Sequence, residues 1–227
     1  MDSRGLRAIV FDFDGTIFRL FVNYNLHEVS LNMRCSLQEL GIDFDDSLDP
    51  FDVFRLISNC SNVCQAMKEK GLVIADQILT AAEIEALDSG IVVHGANKII
   101  KQYVEDGMNI GIATNNSALC VKEYFHHVDP GILLQVPVFG RDALHPEMMK
   151  PNPAAVLSAV HYFGLTPRQC LFVGDTKRDY EASLVCGCRF AGMASTESKR
   201  TRLMSILPPE RVFNNFEELY QALSIGL

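Results

Sequence analysis

Six residues able to do chemistry stand just beyond short apolar runs. Asp12 and Asp14 follow the run at 7–11, in the string DFDGT, and Thr114 follows MNIGIA and precedes Asn115. Lys150 precedes Pro151 in MKPNP, and Asp175 and Asp179 follow QCLFV in GDTKRD. A β-branched apolar run ended by acid and glycine suits a buried parallel strand. Open α/β sheets bind ligands at the carboxyl ends of their strands, so four distant segments are expected to converge on one site. Four carboxylates gathered there would repel one another and any anionic ligand. At about 4 Å and an effective dielectric near 20, each unit pair is worth on the order of 4 kcal/mol. Such a site needs cations: Lys150 supplies one charge, and a divalent cation that prefers oxygen ligands would supply two.

The elements that must position these residues are legible as alternating patterns. Further strand-like runs lie at 136–139, 189–192 and 211–213. Residues 94–105 place Ile99, Ile100, Tyr103 and Val104 on one helical side. Asn152-Pro153 opens another helix with a cap residue and a first-turn proline; Val156, Leu157, Val160 and Phe163 follow at helical spacing, and Gly164 stops it. Residues 177–186 form a third, closed by Gly187. Strands alternating with helices from residue 91 onward predict βαβ units and a mainly parallel, doubly wound, Rossmann-like sheet.

The stretch 18–89 breaks this pattern. It shows no strand but three helical periodicities: Leu26, Val29, Met33 and Leu37; Val53, Leu56, Ile57, Cys60 and Met67; and 75–87 with Ile78, Ala81 and Ala82. The expected organisation is a catalytic core from 1–17 and 90–227, with 18–89 an α-helical cap subdomain inserted after the first strand.

Composition narrows the function classes. A chain of 227 residues with 48% hydrophobic and 21% charged residues is ordinary globular material. Acids outnumber bases 28 to 20, a formal net charge of −8, which argues against nucleic acid or anionic membrane as partner. The seven cysteines are odd in number and include no Cys-x-x-Cys pair, as expected of reduced thiols in a cytoplasmic protein. The first apolar stretch meets Asp12 before a signal-peptide core could form, and no apolar run is long enough to span a bilayer.

The strings DFDGT, T-N, MKPNP and GDTKRD, in this order and with a helical stretch after the first, resemble the haloacid dehalogenase superfamily of aspartate-nucleophile phosphatases. The helical stretch lies where the phosphoglycolate phosphatases and β-phosphoglucomutases carry their cap. The resemblance implies that Asp12 is the nucleophile and a metal ligand, and that Asp14 is the general acid/base. Gly15 lets the backbone approach phosphate, Thr114 gives a hydroxyl to the transferred phosphoryl group, and Asn115 contacts substrate. Mg²⁺ is held by Asp12, the Asp14 carbonyl and Asp175, with Asp179 acting through water or supporting Lys150. The implied activity is hydrolysis of a small phosphorylated metabolite through an aspartyl-phosphate, as in phosphoglycolate phosphatase. The alternatives are a sugar-phosphate mutase, which shares every core motif, and a catalytically silent scaffold on the same fold. Asp14 argues against carbon–halogen displacement, and a phosphonate hydrolase would have to use Lys68 or Lys70.

One position departs from the family pattern. Capped relatives often carry an acid seven residues after the nucleophile, where this chain has Arg19. Two readings stand: Arg19 pairs with a surface acid at the hinge, or it faces the cleft and binds a second anionic group of the substrate. Elsewhere the structural reading is preferred. His126-His127 is a helix-end pair, 199–202 (KRTR) a solvated loop, and Met148-Met149 packing beside Lys150.

Overall fold

The computed structural model describes residues 5–133 and 135–225. The chain begins with β1 (Ala8–Phe11) and β2 (Phe18–Arg19), then α1 (Leu26–Gln38), α2 (Pro50–Asn59) and α3 (Gln65–Ala86). It continues through β3 (Ile91–Val92), α4 (Ala96–Glu105), β4 (Asn109–Ala113), α5 (Ala118–Val128), the short α6 (Pro130–Leu133) and β5 (Val138–Phe139). The last part is α7 (Ala154–Tyr162), β6 (Cys170–Gly174), α8 (Lys177–Cys186), β7 (Arg189–Met193), α9 (Glu197–Met204), β8 (Val212–Phe213) and α10 (Phe216–Ser224). Residues 1–4 and 226–227, the outer ends of the expected core and part of the stretch read for a leader, lie outside the described residues.

Six strands form one parallel sheet in the order β5-β4-β1-β6-β7-β8. β1 is buried at every position because β4 and β6 flank it: Ile9 aligns with Ile110 on one side and Leu171 on the other. Strand alternation sends Ile9 and Phe11 to one face and Ala8 and Val10 to the other. The first pair packs with Ile100 of α4, Phe125 of α5 and Phe216 of α10. The second packs with Val156 and Val160 of α7 and Leu203 of α9. The fold is therefore a three-layer α/β/α sandwich, the expected doubly wound class. From β1 the chain moves to β4 and β5 on one side, then crosses to β6 on the other. That reversal opens a crevice at the carboxyl end of β1.

Helices α1–α3 pack on one another through Met33, Leu37, Val53, Phe54, Ile57 and Leu79, a cluster separate from the two sheet faces that also takes in Met149. Asp49 caps α2, accepting from the Phe51 N–H at 2.9 Å, and Pro50 occupies the first turn. Three details differ from the periodicity. Phe18–Arg19, expected to start the helical stretch, instead pairs antiparallel with Ile91–Val92 as a ribbon too short to register as a strand pattern. α3 starts ten residues before 75, because its first two turns are largely exposed and carry no apolar stripe. Met67 belongs to that helix, 44% exposed, and not to α2, which ends at Asn59. No helix of the described residues is long and apolar enough to cross a membrane.

Candidate active site

Asp12 leaves β1 with its N–H still donating to the Val173 carbonyl at 2.8 Å, so the sheet ladder sets its height. The chain then turns sharply around Phe13, whose carbonyl accepts from the N–H groups of Thr16, Ile17 and Phe18, while its ring packs against Phe18 and Tyr124. Gly15 makes the turn at φ +87°, and a Cβ there would run into the Asp175 carboxylate and the tip of Lys199. The turn presents Asp14, whose Oδ1 accepts from the Leu20 N–H at 2.8 Å.

Lys150 reaches this point from the loop before α7. Its Nζ donates to Asp12 Oδ1 and to Asp179 Oδ1, each at 2.6 Å, and to the Ala113 carbonyl at 3.3 Å. Asp179 sits in the first turn of α8, where its Oδ2 also accepts from the N–H and hydroxyl of Thr176 in a capping box. The backbone of Lys150 is clamped by Asn115: Oδ1 accepts from the Lys150 N–H at 2.8 Å, and Nδ2 donates to its carbonyl at 3.3 Å. Arg55 of α2 donates to the same carbonyl at 3.1 Å. Asp175 directly follows β6 and pairs with Lys199 of α9, which also donates to the Gly15 carbonyl at 3.2 Å.

Burial governs the protonation of these groups. It pushes Asp12 up to about 7, against the pull of Lys150. It pushes Asp14 up to about 6, although the Leu20 N–H favours the ionised form. Asp175 likewise rises to about 6, with Lys199 opposing. Burial works against the charge of Lys150, but the carboxylates of Asp12 and Asp179 outweigh it and raise its pKa. The site is thus short of positive charge even with two lysines in it.

Carboxylate oxygens of Asp12, Asp175 and Asp179 lie within 4.8 Å of one another, and Asp175 Oδ1 is buried with no hydrogen-bond partner. An orphaned anionic oxygen facing other carboxylates is the donor set a hard cation such as Mg²⁺ takes. The residues fit such an ion.

A cleft of about 120 Å³ opens over these groups, lined by Asp12, Asp14, Thr114, Asn115, Lys150, Asp179, Thr176 and Asn116, with Phe51 of α2 and Arg178 of α8 at its edge. The structure therefore brings together Asp12, Asp14, Gly15, Thr114, Asn115, Lys150, Asp175 and Asp179. Two of them are engaged differently from expectation. The amide of Asn115 bonds Lys150 at both ends, so it holds the lysine while still lining the cleft. The Thr114 hydroxyl donates to Asn116 Oδ1 at 2.8 Å. Arg19 is half-buried on β2, does not line the cleft and forms no ion pair among the described residues.

The expectation of a solvated loop at 199–202 is corrected: the segment lies within α9, whose first turn aims Lys199 at Asp175. Met149 packs as expected, whereas Met148 is 46% exposed. His126 and His127 end α5 on the surface. Sequence reasoning missed Arg178, Glu83 and Arg141. The first lies three residues after Asp175 in GDTKRD, a signal that was available, but the other two carry none.

Solved structures share this architecture. A predicted phosphatase from Clostridium acetobutylicum superposes with a TM-score of 0.67 at 15% identity, over 97% of this chain and 99% of that one. A predicted phosphoglycolate phosphatase from Haemophilus somnus gives 0.61 at 18%, over 96% and 97%. These define the class, a doubly wound α/β fold with a helical insertion. The model of the haloacid dehalogenase-like hydrolases matches residues 6–187, and the chain belongs to that family. The phosphoglycolate phosphatase of Haemophilus influenzae is 25% identical over 242 aligned positions, covering 96% of this chain and 98% of the relative. That of Salmonella typhi is 27% identical over 119 residues, 52% of this chain and 46% of the relative, so the chain spans about half the length of the Salmonella enzymes it matches.

Proposed function

We propose that this chain is a Mg²⁺-dependent phosphatase that hydrolyses a small phosphate monoester through an aspartyl-phosphate on Asp12. The observation that carries the reading is the Lys150 ammonium, held 2.6 Å from both Asp12 and Asp179 at the carboxyl end of the central strand. An Asp12 oxygen attacks phosphorus and the bond to the leaving oxygen breaks, while Asp14, held protonated to about pH 6 by burial, gives that oxygen its proton. Asp14 then takes a proton from water as the water oxygen attacks phosphorus, and inorganic phosphate leaves with Asp12 restored. Lys150 neutralises charge on Asp12 and on the phosphoryl oxygens throughout. Asp12 and Asp175, with the Asp14 carbonyl, would hold Mg²⁺, with Asp179 acting through water or supporting Lys150; the ion when bound supplies charge neutralisation and alignment of the phosphoryl group.

Residues 18–89 act as the cap over this core, in our reading. Phe51 closes one edge of the cleft, Arg55 grips the Lys150 carbonyl, and Asp52 accepts from Arg178 at 3.2 Å. A roof this near a cleft of about 120 Å³ favours small metabolites over phosphoproteins. The names of the Haemophilus and Salmonella relatives make phosphoglycolate the first substrate to try. Hydrolysis of an aryl phosphate should require Mg²⁺, stop with chelator, and fall by roughly a thousandfold or more in Asp12→Asn. Undiminished turnover in that variant would refute the mechanism, and no turnover in the wild type would favour a silent scaffold.

A further inference from the structure

Glu83 is an acid in the helical insertion that the mechanism above leaves unused. Its side chain is fully buried, on a helix that packs on α1 and α2 and, at this end, against α5 of the core. Oε1 accepts from Asn116 Nδ2 at 3.1 Å and from Arg141 at 2.9 Å, and Oε2 accepts from the Ser117 N–H at 2.9 Å. Arg141 is also fully buried. It donates to the Asn115 carbonyl at 3.0 Å, to Asp76 Oδ1 at 2.7 Å and to the Thr80 hydroxyl at 3.1 Å, and its guanidinium lies 5.1 Å from the Phe54 ring centroid. One buried ion pair thus joins α2 and α3 to the loop that follows β4.

The consequence is one of hydrogen-bond polarity. A carboxylate oxygen only accepts, so Asn116 must aim its amide nitrogen at Glu83. Its Oδ1 is then left facing Thr114, and the Thr114 hydroxyl must donate to it, as it does at 2.8 Å. The Asn116 N–H completes the ring by donating to Thr114 Oγ1 at 3.2 Å. Meanwhile Arg141 fixes the carbonyl of Asn115, the residue whose side chain clamps Lys150.

We propose that Glu83, seated by Arg141, is a positioning residue: from the helical insertion it sets the orientation of Asn116, and hence of Thr114, and it holds the loop that places Lys150. The catalytic edge of β4 is then fully formed only when α3 is docked. This inference rests on the phosphatase reading and assigns that site a dependence on the insertion.

The test is steady-state kinetics of the full chain with p-nitrophenyl phosphate and Mg²⁺, alongside thermal melts. Glu83→Gln replaces one acceptor with an NH₂ that faces donors. Its kcat should fall roughly tenfold or more while KM stays within about threefold. Adding Asn116→Asp restores the Asn116 side of the pattern, because the Gln NH₂ then donates to the new carboxylate, which still accepts from Thr114, while the bond of that position to Arg141 stays lost. The double variant should recover part of the lost kcat, by about threefold or more. Asn116→Ala, which leaves the Glu83–Arg141 pair intact, should lose kcat by a similar factor and serves if Glu83→Gln does not fold. An active wild type whose folded Glu83→Gln and Asn116→Ala variants keep kcat within twofold overturns the inference alone. A double variant no better than Glu83→Gln does the same, since it would mark a merely structural role. An inactive wild type overturns the phosphatase reading and this inference with it.

Discussion

Replacing Lys150 with Met keeps the length of the stem and deletes the ammonium. In the wild type that group lies 2.6 Å from Asp12 and from Asp179, with all three side chains nearly solvent-free. The carboxylates it separates come within 4.8 Å of each other. At that distance and an effective dielectric of ~20, an unrelieved pair repels by about 3.5 kcal/mol. This agrees with the range of about 3–5 kcal/mol for removing one partner of a buried ion pair. Burial already pushes Asp12 up to about 7 against the pull of Lys150, so losing the ammonium raises it further. The sign follows: above about 7 the folded variant keeps a proton that the wild type has lost, so its deficit against the wild type grows as pH rises through 7 and is smaller below it, where Asp12 is protonated in both. Melts in chelator should show Lys150→Met below wild type by roughly 7–14 °C at pH 8 and by less than half of that at pH 5. An equal deficit at both pH values, or none at pH 8, would refute this account of the cluster.

Two further outcomes follow from the same geometry. Lys199 competes with a cation for Asp175, so Lys199→Ala should tighten Mg²⁺ binding roughly three- to tenfold by calorimetry at pH 7. In both proteins affinity should rise with pH through about 6 to 7, as Asp175 and Asp12 lose their protons, and level off above; an unchanged affinity in the variant would contradict the competition. Gly15→Ala places a methyl group against the Asp175 carboxylate at a positive φ, so turnover should drop roughly a hundredfold for a stability loss of only about 1–3 kcal/mol. Wild-type turnover would show that this turn tolerates a side chain.

The phosphatase reading also gives the acidity of the chain a local meaning. A net charge of −8 repels polyanions at large, yet the acids of the site are those able to take up a cation. Among the described residues, Lys150 and Lys199 are the ammonium groups that pair with them.

The strands and their order of use were legible because parallel-sheet residues are buried on both faces. Runs such as AIVF and CLFVG therefore read as strands without any partner being known. Asp12, Asp14, Thr114, Lys150, Asp175 and Asp179 were legible for the same reason: each follows an apolar run or a turn signal whose end defines one edge of the sheet. Periodicity reports which side of an element is buried, but not what buries it. Lys199 therefore looked like one base in the surface-like string KRTR until the path through β7 brought α9 back over Gly15. Arg19 stood at a suggestive spacing, yet its place on β2 keeps it out of the cleft. Glu83 and Arg141, an acid on an otherwise apolar helical turn and an arginine in a loop, became a buried pair only through the docking of α3. Local pattern determined the strand ends and their chemistry; tertiary packing alone decided which distant charges meet there, because burial strengthens an ion pair only between groups the fold has already brought together.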